Sequence, residues 1–72
     1  MNTSPSKFEL VASYFKSEPQ VSVQEFTSDR LRISGSIIKT IQKLQLLPKY
    51  IQNHTHILSY NEEMNQITLE IS

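Results

Sequence analysis

The chain has 72 residues, 38% of them hydrophobic, with seven Lys and Arg against seven Asp and Glu and no cysteine. That length holds one domain, residues 1–72, and a small core, because so short a chain buries only about 60% of its unfolded surface. The composition excludes disulfides and thiolate metal sites, and one glycine with three prolines excludes a flexible linker.

The first elements are read in chain order. Residues 1–4 read as a loose end. Ser4 or Ser6 can cap a helix, with Pro5 at the first helical position or Glu9 completing a capping box. Phe8, Val11, Ala12 and Phe15 then fall on one stripe at helical spacing, which predicts a helix over 6–17. Pro19 stops it. Residues 20–34 carry two readings. Ser22 with Glu25 three residues on is a capping box, and Val23, Phe26, Thr27 and Leu31 continue at helical spacing; this short helix is the favoured reading. In the other reading Val21 and Val23 alternate, Leu31 and Ile33 alternate, and Thr27 to Asp29 make a hairpin turn.

Further along, Ser34 is expected to cap a helix reaching residue 47. Ile37, Ile38, Ile41 and Leu44 form its apolar face, and Ser36, Lys39, Gln42 and Lys43 its polar one. Pro48 ends it, and residues 48–55 form a connector with room for one helical turn. A terminal hairpin follows. His56 to Tyr60 and Gln66 to Ile71 are strands, and Asn61 to Asn65 is the turn. Ile67, Leu69 and Ile71 alternate with Thr68, Glu70 and Ser72, giving one buried and one wet face.

Net charge is zero but unevenly spread. Residues 1–29 sum to −2, residues 30–61 to +5 and residues 62–72 to −3, leaving a basic middle between acidic ends. No apolar run approaches the roughly 20 residues of a membrane helix. The residues Met1 to Pro5 lack the features of a signal peptide. With cysteine absent, the expectation is a cytoplasmic protein with no membrane partner.

This order of elements resembles the winged helix-turn-helix family. Tyr14 to Phe26 resembles the passage from its first helix through a short strand into its second. Leu31 to Ile38 resembles the turn into its recognition helix, and Ile37, Ile41 and Leu44 fall where that helix places core residues. The terminal hairpin stands for the wing, although Glu62 and Glu63 at its tip would repel phosphate. The resemblance implies an α+β fold of three helices plus a C-terminal β-hairpin. The hairpin reading of 20–34 gives instead an αββαββ sheet-and-helix domain.

A winged helix implies a small regulator that binds double-stranded DNA. The helix at 35–47 would enter the major groove, presenting Ser36, Lys39, Thr40, Gln42 and Lys43 to bases. Arg30, Arg32 and Lys49 would contact phosphates and supply salt-dependent affinity. The alternative is a non-catalytic protein-interaction module, a homodimer or a subunit of a larger complex. A strand such as 66–71, placed at a sheet edge, would add a strand from a partner or a second copy. No catalytic constellation, cofactor motif or metal-ligand set stands out. His54 and His56 lack a third ligand, and Glu62 and Glu63 adjoin in a turn. The chain is therefore expected not to be an enzyme and to need no cofactor. Tyr14, Tyr50 and Tyr60 can stack on bases or a partner, while Phe8, Phe15 and Phe26 are assigned to the core.

Overall fold

The computed structural model describes residues 8–72. The caps expected at Ser4 and Ser6 and the loose end at 1–4 lie outside them. Helix α1 runs Glu9–Lys16 and is followed by strands β1, Val21–Phe26, and β2, Leu31–Gly35. Helices α2, Ile37–Gln45, and α3, Lys49–Gln52, come next, then strands β3, Thr55–Asn61, and β4, Gln66–Ile71. Among the described residues the strands form one antiparallel sheet in the order β1-β2-β4-β3. The fold is α+β, a four-stranded sheet with its helices on one face. Among the described residues no helix is long and apolar enough to cross a membrane.

Residues 20–34 therefore form a β-hairpin and not the favoured helix. A bulge explains the misleading pattern. The β1–β2 register slips between Val23 and Glu25, so Gln24 is the extra residue. A spacing of three along a regular strand puts two side chains on opposite faces. Here the bulge restores Ser22 and Glu25 to one face, and Val21, Val23 and Phe26 to the other. Ser22 Oγ does not cap a helix; it donates to the Ser34 carbonyl across the strands, at 3.3 Å. Among the described residues α1 is followed by this hairpin, so the expected second helix, and its pairing with α2, is absent there.

The core is the helix-facing side of the sheet. The cross-strand register aligns Val23, Ile33, Leu69 and Ile57 in one row and Phe26, Leu31, Ile71 and Thr55 in the next. Helix α1 closes this face over β1 with Phe8, Val11, Ala12 and Phe15, all buried, so the predicted stripe holds. Phe26, assigned to the core, is 39% exposed instead, because it ends β1 beside the turn at the sheet's edge. Helix α2 lies over β2 and β4. It begins later than predicted, because Leu31 to Gly35 are committed to β2. Its cap is Ser36, whose Oγ accepts the Lys39 N–H at 3.5 Å, and Ser34 sits in the sheet. Asn65, in the left-handed region at φ 52°, also meets this end. Its Oδ1 accepts the Ile37 N–H at 3.2 Å, so the second hairpin's turn is docked on α2.

Thr40 was expected on the exposed face of α2 and is fully buried. The inward stripe runs through Ile37, Thr40, Ile41 and Leu44, while Ile38 points away. Among the described residues the Thr40 hydroxyl has no hydrogen-bond partner. An unsatisfied buried hydroxyl costs about 1–3 kcal/mol, and valine matches threonine in shape. Thr40→Val is therefore expected to raise stability by about 1 kcal/mol, read as a higher urea midpoint with an unchanged slope.

Candidate functional site

Of the eight residues expected to contact DNA, the fold separates the arginines from the lysines. Arg32 alternates with buried Leu31 and Ile33, so it emerges on the sheet face opposite the helices. There its guanidinium lies 3.2 Å from Glu70 and 3.8 Å from Glu25. Arg30 reaches the same Glu70 carboxylate at 3.7 Å. Both arginines of the basic middle are thus paired with carboxylates from the acidic flanks. They face away from α2 and cannot share one footprint with it.

On α2, Lys43 turns toward α1. Its ammonium donates to Ser17 Oγ at 2.9 Å and to the Tyr14 carbonyl at 3.3 Å, and it sits 4.3 Å from the centre of the Tyr14 ring. Tyr14 Oη donates back to the Lys43 carbonyl at 2.9 Å. A cation at the carbonyl end of α1 is favoured by the helix dipole. Lys43 and Tyr14 thus clamp two helices together. Ser36 is occupied as the cap and Thr40 is buried. Lys39, Gln42 and Lys49 remain exposed.

The residues that stand out instead lie on β3. β4 was expected as a possible edge strand, but the structure places it inside the sheet, between β2 and β3. β3 is the edge. Its second side has no pairing strand among the described residues. Ile57 is 62% exposed, Leu58 48% and Tyr60 55%, although all three are large and apolar. A bulge at Leu58 places Ile57 and Tyr60 on the helix side of the sheet, in register with buried Leu69 and Ile67. They are uncovered because the helices stop at β4.

Natural edges are commonly blunted by charge, proline, bulges or a covering element. β1, the opposite edge, has a bulge, carries Glu25 and is covered by α1. β3 has a bulge, but residues 55–61 contain no Asp, Glu, Lys, Arg or Pro. Ile38 on α2 is also exposed, but at about 100° per residue it lies roughly 160° around the helix from buried Thr40 and points outward from the sheet. The apolar strip on the helix side of the edge is therefore Ile57 and Tyr60. Sequence reasoning singled out Tyr60 but missed Ile57 and Leu58. The available signal was an apolar run in a strand without a guarding charge.

The rest of the surface offers little chemistry. One cleft is lined by Phe8, Tyr50, Ile51, His54 and Ser72, and another by Leu10, Val11, Tyr14, Leu47, Pro48, Tyr50 and Ile51. The first places His54 beside the residues Ser72 and Tyr50, and neither cleft is lined by an Asp or Glu. No cluster of three or more metal-ligating side chains occurs among the described residues. No protein-family model matches the chain, and neither a curated protein nor a solved structure is significantly similar to it.

Proposed function

We propose that this protein is a non-catalytic interaction module that associates through the open edge of β3. The observation that carries this reading is the unpaired β3 edge, free of charge and proline, with Ile57, Leu58 and Tyr60 exposed along it. An edge strand recruits by backbone hydrogen bonds and selects by side-chain pockets on alternate positions. Here the backbone is open, and Ile57 and Tyr60 offer the side-chain contacts. The test compares the wild-type chain with Ile57→Lys/Tyr60→Lys in two assays, self-association by sedimentation and binding of display-selected extended peptides. Both positions are exposed, so the double variant is expected to keep its fold. At least one association is expected in the wild type and lost in the variant. Absence of both, or persistence in the variant, overturns the reading.

The winged-helix route to duplex DNA has less support. Lys39, Gln42 and Lys49 are its remaining exposed contacts. Neutralising two phosphates gives a log–log salt slope of only about −2, far from the footprint of a specific binder. Titration of duplex DNA is expected to give no saturable binding at physiological salt and only a shallow slope at low salt. Tight binding abolished by Lys39→Glu would reverse this ranking.

A further inference from the structure

The occupant of this edge can be named, on the reading that β3 is the interaction surface. We infer that it is a second copy of the same chain, paired β3 to β3 antiparallel across a twofold axis perpendicular to the sheet. Three observations converge on a copy of itself.

The first is register. Opposed residues on neighbouring strands must point to the same face of the sheet. The bulge at Leu58 sets Thr55, Ile57 and Tyr60 toward the helices and His56, Ser59 and Asn61 away. Placing Ile57 of each copy opposite Tyr60 of the other satisfies this rule. It also sets His56 opposite Asn61 on the far face. The central pairs are then aromatic against β-branched, a favourable cross-strand combination.

The second is shape. Such an axis keeps the helices of both copies on one face. With strands about 4.8 Å apart, the two α2 axes stand roughly 20 Å apart, and each helix is about 10 Å across with its side chains. A trough about 10 Å wide remains between them. Ile57 and Tyr60 from each copy form its floor. The exposed strip of one monomer becomes the seam of the pair.

The third is charge. β3 begins beside His54 and ends at Glu62 and Glu63. The antiparallel arrangement keeps the two acidic turns at opposite ends of the seam, away from each other. No like charges are opposed along the strand itself, which carries no carboxylate, ammonium or guanidinium.

Sedimentation of the full chain from micromolar to millimolar concentration tests this. The wild type is expected to reach twice the 8.3 kDa chain mass. Ile57→Lys/Tyr60→Lys is expected to raise the dissociation constant about a hundredfold or more, by setting four ammonium groups in the seam. Leu10→Lys, at an equally exposed apolar site on α1, is expected to leave it unchanged. Circular dichroism of every variant checks that the fold is kept. A wild type that stays monomeric overturns the second copy as occupant. If display-selected peptides then bind the wild type and not the double variant, the edge reading survives with a foreign strand. If they do not, both fail. A dimer broken by Leu10→Lys and not by the β3 variants places the interface elsewhere and overturns both.

Discussion

Phe15→Ala is expected to lower the chain's stability by about 3–5 kcal/mol. Phe15 is completely buried beneath α1, within the cluster that includes Phe8, Val11 and Ala12. Truncating a buried phenylalanine costs about 3–5 kcal/mol, combining lost transfer energy with the cavity left behind. At about 0.05–0.15 kcal/mol per residue, a domain of this size has roughly 4–11 kcal/mol in total. One side chain therefore accounts for a large part of the whole. Helix α1 has only eight residues and is too short to persist without its packing. Urea titration followed by circular dichroism measures the loss. Leu10→Ala, on the exposed side of the same helix, should shift stability by no more than about 0.5 kcal/mol. Equal effects at the two positions would mean that α1 does not pack as described.

Gly35→Ala is the second large effect, and its sign is informative. In an ordinary strand, alanine is better than glycine by about 0.5–1 kcal/mol. Gly35 is different because another backbone approaches it. A Cβ there would overlap the Gln20 carbonyl oxygen and lie 2.7 Å from Val21 Cα. Neither group is free to move. The Ser36 N–H donates to that same Gln20 carbonyl at 3.0 Å, and Val21 pairs with Gly35 across the strands. The hairpin must part from the head of α2 to admit the methyl. Overpacking of this kind costs about 1–3 kcal/mol, and the backbone contacts place Gly35→Ala near the upper end. A measured stabilisation would show that β1 and β2 do not close as tightly as the geometry requires. The only glycine of the sequence thus serves a close backbone approach.

Much of the architecture was legible where one period ran uninterrupted. Phe8, Val11, Ala12 and Phe15 gave α1, and Ile67, Leu69 and Ile71 gave β4 with its buried face. The single helical turn after Pro48 was also legible. The hairpin at 21–35 was obscured because its bulge at Gln24 breaks the period of two. Local patterning cannot tell a bulged strand from a short helix, since both bring residues three apart to one face. Only pairing with β2 and β4, remote in sequence, decides. The α2 surface was misjudged for a related reason. Thr40 looks like a polar surface residue, but helical geometry sets it on the same inward stripe as Ile37 and Leu44. The pairing of Arg30 and Arg32 with Glu70 joins residues about forty positions apart. No local charge count reveals it.

The edge at β3 was the least legible feature, since exposure depends on where the helices stop. Sequence alone made 66–71 a candidate for strand addition. The sheet order buries that strand and exposes its neighbour. Were β3 covered by a third long helix, Ile57 and Tyr60 would be core residues like Leu69 and Ile67. The short α3, ended at Gln52, leaves the strand's helix side bare.

The most direct measurement is an isotope-filtered NMR experiment on an equal mixture of 15N-labelled and 13C-labelled chains. Contacts between the Ile57 side chain of one copy and the Tyr60 ring of the other are expected, with slowed amide exchange along residues 55–61. An interchain contact map centred on α1 or on the opposite sheet edge, or no interchain contact at millimolar concentration, would contradict self-pairing through β3.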